Sequence, residues 1–523
     1  MPSENFSNSA LGLINVFENK DKDVGEEKMV VNELVSKVAT FYEKFRTAMD
    51  YGSEETIPRR AIERMLKRML FLDKNSKTLA EDLVRELVWA GYFPNATVPE
   101  SIINEVAKNI TLYLKLRDKI ADKETLPKDE VNNFILDILS CEILHTLHPS
   151  KEKNAVADFM YKTLKDCVKI EDDSEQTRDI QIYLAIRKNF AKDDSPSLKY
   201  RLFRQVFGKL TDQNFDQSVS EFNKGYKEIK YQLAYPKKER IYNHIKKKTP
   251  PFLILYDILT REKGEVRYLA QNPDDLREKV LDACNQKYKL VGKKVQTAII
   301  RSFIFILFTK AVFALAVEGT FESIVLGGIQ WGSIALNTVI PPLLMLGVGL
   351  SIRTPGKDNS NLIWGDIQKL LFEENPHLLH TLSIRLKTDG SKTLSDYIFS
   401  LLWFASIILT FGIIWYILGL LGFNPLSKGI FIFFIAIISF LSYRIYQTAN
   451  NYTITRKQSI FTPIYDFLFV PIVRLGRSLT EGITQINFLL LVIDFLIEAP
   501  FKGTIGFFEQ WFLFTANKRE ELE

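Results

Sequence analysis

Two groups of residues in this chain have types and spacings that could carry chemistry. Cys141, His145 and His148 fall at i, i+4 and i+7 of a helical stretch. A thiol and two imidazoles on one helix face are a usable geometry for three metal ligands. The same face carries Phe134 and Ile138, and no fourth ligand accompanies the set. The three residues are therefore weak metal candidates that packing explains as well, and no metal is expected. His377 and His380 repeat a His-x-x-His spacing, but with five histidines in all coincidence accounts for it. The second group is Lys310, Glu318 and Asn337, which lie in or beside apolar segments. A lysine at the bilayer centre costs roughly 2.5–3.5 kcal/mol on insertion scales, so it usually faces protein or water. Glu318 stands eight residues on, about 80° around a regular helix. Asn337 precedes Pro341 and Pro342, where helix hydrogen bonds must be broken or re-satisfied. The three form an intramembrane polar site: either a polar pathway, or a structural lysine bonded to a neighbouring helix.

No other chemistry presents itself. The chain has no Gly-x-x-x-x-Gly-Lys-Ser/Thr phosphate loop, no His-Glu-x-x-His, no Gly-x-Ser-x-Gly and no Cys-x-x-Cys. Catalytic residues and cofactors are accordingly expected to be none, and the protein is read as non-enzymatic. Cys141, Cys167 and Cys284 have no paired spacing, in keeping with a reducing compartment.

The elements that must hold these residues follow from a break in composition. Residues 1–300 hold 51 Lys+Arg and 47 Asp+Glu, against 68 and 63 in the whole chain. A helix needs about 20 mostly apolar residues to cross the ~30 Å hydrocarbon core. Four such spans are expected, at 298–317, 333–352, 397–421 and 429–446. Residues 1–25 are polar, with no basic region leading into an apolar run, and read as a disordered N-terminal arm. Residues 26–296 read as a cytosolic α-helical domain, either one unit or two joined near 171–175. Its apolar positions repeat every 3.6 residues, beginning Val30, Val31, Leu34, Val35, Val38 and Phe41. The whole is all-α: a large soluble helical domain, a four-helix transmembrane domain at 297–446 and a tail at 447–523.

Orientation follows from Lys and Arg. Lys287, Lys289, Lys293 and Lys294 precede the first span. The loop at 353–396 carries Arg353, Lys357, Lys369, Arg385, Lys387 and Lys392, whereas 318–332 carries none. The domain, the 353–396 loop and the tail should therefore be cytoplasmic, with both termini inside a cytoplasmic membrane. Residues 201–250 hold 12 basic and 5 acidic side chains. That charge suits contact with anionic lipid. No aromatic-and-basic motif accompanies it, so nucleic acid is not the expected partner. The remaining partners are the lipid bilayer and an unidentified protein bound by the cytosolic domain.

Three finer readings concern the loop and tail. Leu362, Ile363, Trp364, Ile367, Leu370 and Leu371 form the apolar side of a short helix that lies in the interface or docks on the soluble domain. Leu382, Ile384 and Leu386 alternate before Asp389-Gly390, the first arm of a hairpin with a weak second arm. In the tail, Thr484, Asn487, Asp494 and Glu498 share a stripe that suggests a helix lying flat at the interface. Half-spans buried against other helices are the rival reading.

The runs Thr249-Pro-Pro-Phe-Leu-Ile-Leu-Tyr-Asp-Ile-Leu259, Phe308-Thr-Lys-Ala-Val312, Ile340-Pro-Pro-Leu-Leu-Met-Leu346 and Ile497-Glu-Ala-Pro-Phe-Lys502 resemble segments of an uncharacterised multi-pass membrane-protein family of small-genome candidate-phylum bacteria. The resemblance covers roughly residues 200–523. It implies a bacterial cytoplasmic membrane and brings no activity or site residues. The expected role is a membrane-tethered scaffold or interaction protein. The alternative is a transporter or channel component with a polar pathway near Lys310, Glu318 and Asn337.

Overall fold

The computed structural model describes residues 6–18, 28–48, 54–70, 75–262, 272–325, 327–378, 380–385, 394–454 and 462–485, with scattered positions in 265–268 and 503–518. In chain order the elements are α1 (Asn8–Glu18), α2 (Glu33–Ala48), α3 (Ile57–Leu70), α4 (Ser76–Trp89), α5 (Ser101–Ala121), α6 (Lys128–Leu147) and α7 (Lys151–Leu164). Strand β1 (Val168–Ile170) follows, then α8 (Glu175–Ile186), α9 (Ser195–Phe207), α10 (Phe215–Leu233), α11 (Lys238–Lys246), α12 (Thr249–Arg261) and α13 (Pro273–Phe313). The remainder is α14 (Thr320–Val325), α15 (Trp331–Ser351), α16 (Lys357–Phe372), β2 (Leu382–Ile384), α17 (Leu394–Leu420), α18 (Pro425–Ala449) and α19 (Thr462–Gln485). The fold is all-α as expected.

The soluble helices build two cores. Helices α3 to α6, α9 and α10 enclose the first, around Ile62, Met65, Leu83, Val106, Ile135, Phe203 and Phe222. Helices α1, α7, α11, α12, α16 and the start of α13 enclose the second, around Ile14, Met160, Ile245, Phe252, Val280 and Ile367. The expected joint near 171–175 does not divide them. Helix α8 is a shared wall: Ile180 and Leu184 face the first core, while Ile182, Ala185 and Ile186 face the second. The chain visits each lobe more than once, so no single cut along the sequence separates them.

Residues 1–25 are not a loose arm throughout. Ala10, Leu13, Ile14 and Phe17 recur at i, i+3, i+4 and i+7 and are buried in the second core. The Ser7 amide donates to the Leu371 carbonyl at 2.8 Å, and Phe6 stacks on Phe372 at 5.6 Å. The stripe is real but short, and the polar residues around it disguise it.

The loop between the second and third spans completes this lobe. Helix α16 docks on the soluble domain rather than on lipid: Ile363, Ile367, Leu370 and Leu371 are buried in its core. Lys248 pairs with Asp366 at 2.6 Å. Leu382 and Ile384 do alternate, but their partner is β1, in parallel register Val168↔Leu382 and Ile170↔Ile384. The described pairing strand lies more than two hundred residues upstream, and the turn and second arm expected of the hairpin fall outside the described residues. Residues 386–393 lie outside the described residues.

Among the described residues, four helices are long and apolar enough to cross a membrane. Their outward side chains are lipid-like in character: Ile300, Ile304, Phe308, Leu343, Phe399, Leu401 and Phe404 are all exposed. The expected domain boundary at 296/297 falls inside a continuous helix. The stretch Pro273–Val325 is helical over 53 residues, about 80 Å at 1.5 Å per residue. Leu276, Val280 and Cys284 pack into the soluble core, and Val295, Ile299 and Ile306 pack into the membrane core. Composition changes at residue 297 but helical periodicity does not, so nothing stops the helix there.

Helix α19 packs on α17 and α18 instead of lying apart from the bundle. An ideal Cβ on Gly476 would stand 1.9 Å from the Ala436 carbonyl oxygen, a close approach only glycine allows. Thr410 Oγ1 donates to the Leu468 carbonyl at 3.3 Å. Both contacts fall in the middle turns of α17 and α18. Of the tail stripe, Asn487, Asp494 and Glu498 lie outside the described residues.

Candidate functional site in the far third of the membrane helices

The residues at Lys310, Glu318 and Asn337 converge. Lys310 Nζ lies 2.8 Å from Glu318 Oε1, and both side chains are fully buried. Asn337 Nδ2 donates to Glu318 Oε2 at 2.7 Å and to the Ser427 carbonyl at 3.3 Å. Ser427 Oγ donates to Glu318 Oε2 at 3.3 Å. The Phe434 ring centroid is 5.0 Å from Lys310 Nζ. Glu318 is thus held by donors from three different helices, and the site knits α13, α15 and α18 together.

A regular helix would not bring Glu318 here. Residues 314–319 form a π-helical turn between α13 and α14. A π turn accommodates one extra residue, so eight positions span the angle of about seven. Seven residues at about 100° each come within about 20° of two full turns. Lys310 and Glu318 therefore share a face that straight α geometry denies them. Such bulges are frequent at functional sites.

Glu322 is a second buried carboxylate that the spacing analysis missed. It accepts from the Gln330 amide at 2.7 Å and from Asn424 Nδ2 at 2.7 Å. Asn424 in turn caps α18, its Oδ1 accepting from the Ser427 amide at 2.8 Å. The sequence signal was present in Asn424-Pro425, a cap followed by a first-turn proline. Both carboxylates consequently lie at the N-terminus of α18, where the helix dipole favours negative charge. That, together with Lys310, explains how two carboxylates and one ammonium share a buried site.

The network reaches the first turn of α18 through Ser427 and the second turn of α15 through Asn337, toward the end of the bundle away from the soluble lobes. One side-chain oxygen there lacks a donor among the described residues. Asn337 Oδ1 is buried with no hydrogen-bond partner, and its amide orientation is fixed because Nδ2 faces Glu318. Pro341 and Pro342 lie inside α15 and offer no N–H to the carbonyls one turn back, those of Asn337 and Thr338.

The other candidates do not assemble. Cys141 is buried on α6, and burial pushes its thiol well above the usual range. His145 is half-buried beside Tyr200, with ring centroids 6.3 Å apart. His148 caps the helix with φ −144° and is exposed, so the three do not share a site. Among the described residues no group of three His, Cys, Asp or Glu could hold a metal.

The basic stretch 201–250 is partly consumed within the protein. Lys209 pairs with Glu105 at 2.7 Å, Lys230 with Glu130 at 2.8 Å and Lys248 with Asp366 at 2.6 Å.

Fold and site together define a membrane-associated all-α protein with a buried polar lock inside an apolar helix bundle. No protein-family model, curated protein or solved structure matches the chain.

Proposed function

We propose that this protein is a non-enzymatic, membrane-tethered interaction protein. Its helical lobes face the cytoplasm, both termini are cytoplasmic and the membrane is a bacterial cytoplasmic membrane. Orientation is supported by the basic residues flanking the spans on the lobe side, and the bacterial assignment by the segment resemblance. The observation that carries the interaction reading is on α2 and the residues before it. Val30, Leu34, Val38 and Phe41 are 71%, 62%, 53% and 75% exposed. Val35 and Ala39, on the opposite face, are buried beside Trp89. An apolar stripe left open on a lobe that buries its other stripes marks a protein-binding face. Exposed Glu33, Lys37 and Lys44 give it a polar rim.

A photo-crosslinking residue at Val38, followed by gentle solubilisation and mass spectrometry, should trap a defined partner. The double variant Leu34→Asp/Phe41→Asp should lose it while the lobes stay helical. Identical capture by the variant would sink this reading.

A second reading, transport or channel function through Lys310, Glu318 and Asn337, draws on one observation: the donorless buried oxygen of Asn337. It requires flux of an ion or small solute in reconstituted vesicles that Lys310→Met/Glu318→Gln abolishes. Absence of flux in the native protein across a broad panel of ions and solutes would exclude it.

A further inference from the structure

Aromatic side chains mark two levels on the membrane helices. Tyr397, Tyr443 and Tyr446 are exposed at the lobe end, and Trp331, Trp415 and Tyr416 at the far end. The rise from Tyr397 to Trp415 along α17 is about 27 Å, close to the ~30 Å hydrocarbon thickness. Aromatic belts of this kind sit at headgroup depth.

At the lobe-side belt three chain segments are clamped together. Gly349 of α15 meets Ile299 of α13 so closely that an ideal Cβ would lie 2.8 Å from the Ile299 side chain. A methyl carbon of Thr354 lies 3.9 Å from the Cβ position of Gly292. Asn359 Nδ2 donates to Tyr288 Oη and to the Tyr452 carbonyl, each at 2.7 Å. Four cations stand on this collar: Lys289 and Lys293 on α13, and Arg353 and Lys357 where the chain runs from α15 into α16. All four are exposed, and they have no ion-pair partner among the described residues.

Lys289 and Lys293 stand one turn apart, and the same side of α13 continues, past the exposed Gln296 and Thr297, to Ile300, Ile304 and Phe308, which are 57%, 58% and 69% exposed. The cations thus lead, after one polar turn, into an uncovered apolar track. A phospholipid laid along it sets its phosphate against the lysines and its chains against Ile300, Ile304 and Phe308. A soluble anion would use only the upper half of this surface.

We propose that Lys289, Lys293, Arg353 and Lys357 form a collar that binds the phosphate headgroups of anionic phospholipids. This inference rests on the membrane reading of the four helices but on neither proposed role. It moves the lipid contact away from residues 201–250.

The test uses the full chain in nanodiscs of phosphatidylcholine, with and without phosphatidylglycerol. Native mass spectrometry then counts the lipid retained after detergent exchange. The native protein should keep phosphatidylglycerol in preference to phosphatidylcholine, and millimolar inorganic phosphate should not displace it. Each cation removed should lower retention about fivefold, the equivalent of about 1 kcal/mol near the surface. Lys289→Gln/Lys293→Gln/Arg353→Gln/Lys357→Gln should therefore lose the preference, and Lys289→Arg/Lys293→Arg should keep it. Lys237→Gln/Lys238→Gln/Arg240→Gln should behave as native. The proposal is overturned if the fourfold glutamine variant retains the anionic lipid, if the 237/238/240 variant loses it instead, or if free phosphate competes it away. A chain that enters no bilayer overturns the collar and the membrane reading together.

Discussion

Lys310 and Glu318 pair with each other inside the buried site, so removing one is not a neutral act. Lys310→Met alone leaves a carboxylate in the bundle with only Asn337 and Ser427 to serve it. Breaking a buried pair by removing one partner costs about 3–5 kcal/mol. Lys310→Met/Glu318→Gln removes both charges and keeps an acceptor for Asn337 Nδ2, so most of that loss should be recovered. Thermal unfolding in detergent checks the order: native and double variant close together, single variant well below. Equal melting of all three would mean the pair does not hold the bundle. His145 offers a pH test in the soluble lobes. Burial, then the nearby Arg201 charge, lowers its affinity for protons below that of a free histidine. The unfolded chain therefore takes up a proton that the folded one refuses, and stability falls as pH drops below about 6.5. His145→Gln should flatten that part of the pH profile, read by denaturant titration. Sequence alone picked out Lys310, Glu318 and Asn337 because polar groups in apolar runs are conspicuous. It put Glu318 on the wrong side because local residue types do not announce a π turn.

At the scale of elements, the π turn makes an unusual prediction. Deleting Ala316 should let residues 314–319 return to regular helix while keeping Lys310 and Glu318 about seven positions apart, on one face. The deletion should therefore be tolerated in abundance and melting. Deleting Ala335 from α15 instead turns Ser333 and the preceding residues by about 100° relative to Asn337 and should fail. If both deletions fail alike, the bulge does more than set register. Helix α19 offers a parallel test. Gly476→Leu drives a side chain into the Ala436 carbonyl and should free α19 from the bundle, seen as new protease cleavage within 462–485. Gly412→Leu, on α17 where nothing lies within 4 Å of an added Cβ, should leave cleavage unchanged. These contacts were not legible in advance. Pro471, Arg474 and Arg477 disqualify the segment as a free span, and only the neighbours at Ala436 and Thr410 show why it is acceptable beside one. The four long spans were legible because apolar length is a one-dimensional property.

The whole molecule is organised by the helix that belongs to both halves. Composition alone divides the chain at residue 297, suggesting that residues 26–290 could fold without the rest. The packing says otherwise. The second core draws Ile14 and Phe17 from α1, which such a fragment lacks, and Ile363, Ile367, Leu370 and Leu371 from α16, which follows the second span. Each fully buried Leu or Ile contributes about 1.5–3 kcal/mol, so a fragment missing these six side chains forfeits more than a typical domain's net stability of about 5–15 kcal/mol can comfortably lose. Residues 26–290 expressed alone should show helical content but an open second lobe, with hydrophobic-dye binding and early proteolysis around 238–262. Residues 1–290 joined through a short Gly/Ser linker to 354–385 should restore a closed core. The linker is sterically reasonable because Thr354 already lies against Gly292. This chimera should unfold cooperatively, bind no dye and resist cleavage at 238–262. If the shorter fragment proves equally cooperative, the membrane loop is decoration on an independent domain. If only the chimera closes, residues 354–385 belong to the soluble lobe although the chain reaches them only through the membrane hairpin, and in the full chain the lobe is pinned to both helices that flank that hairpin.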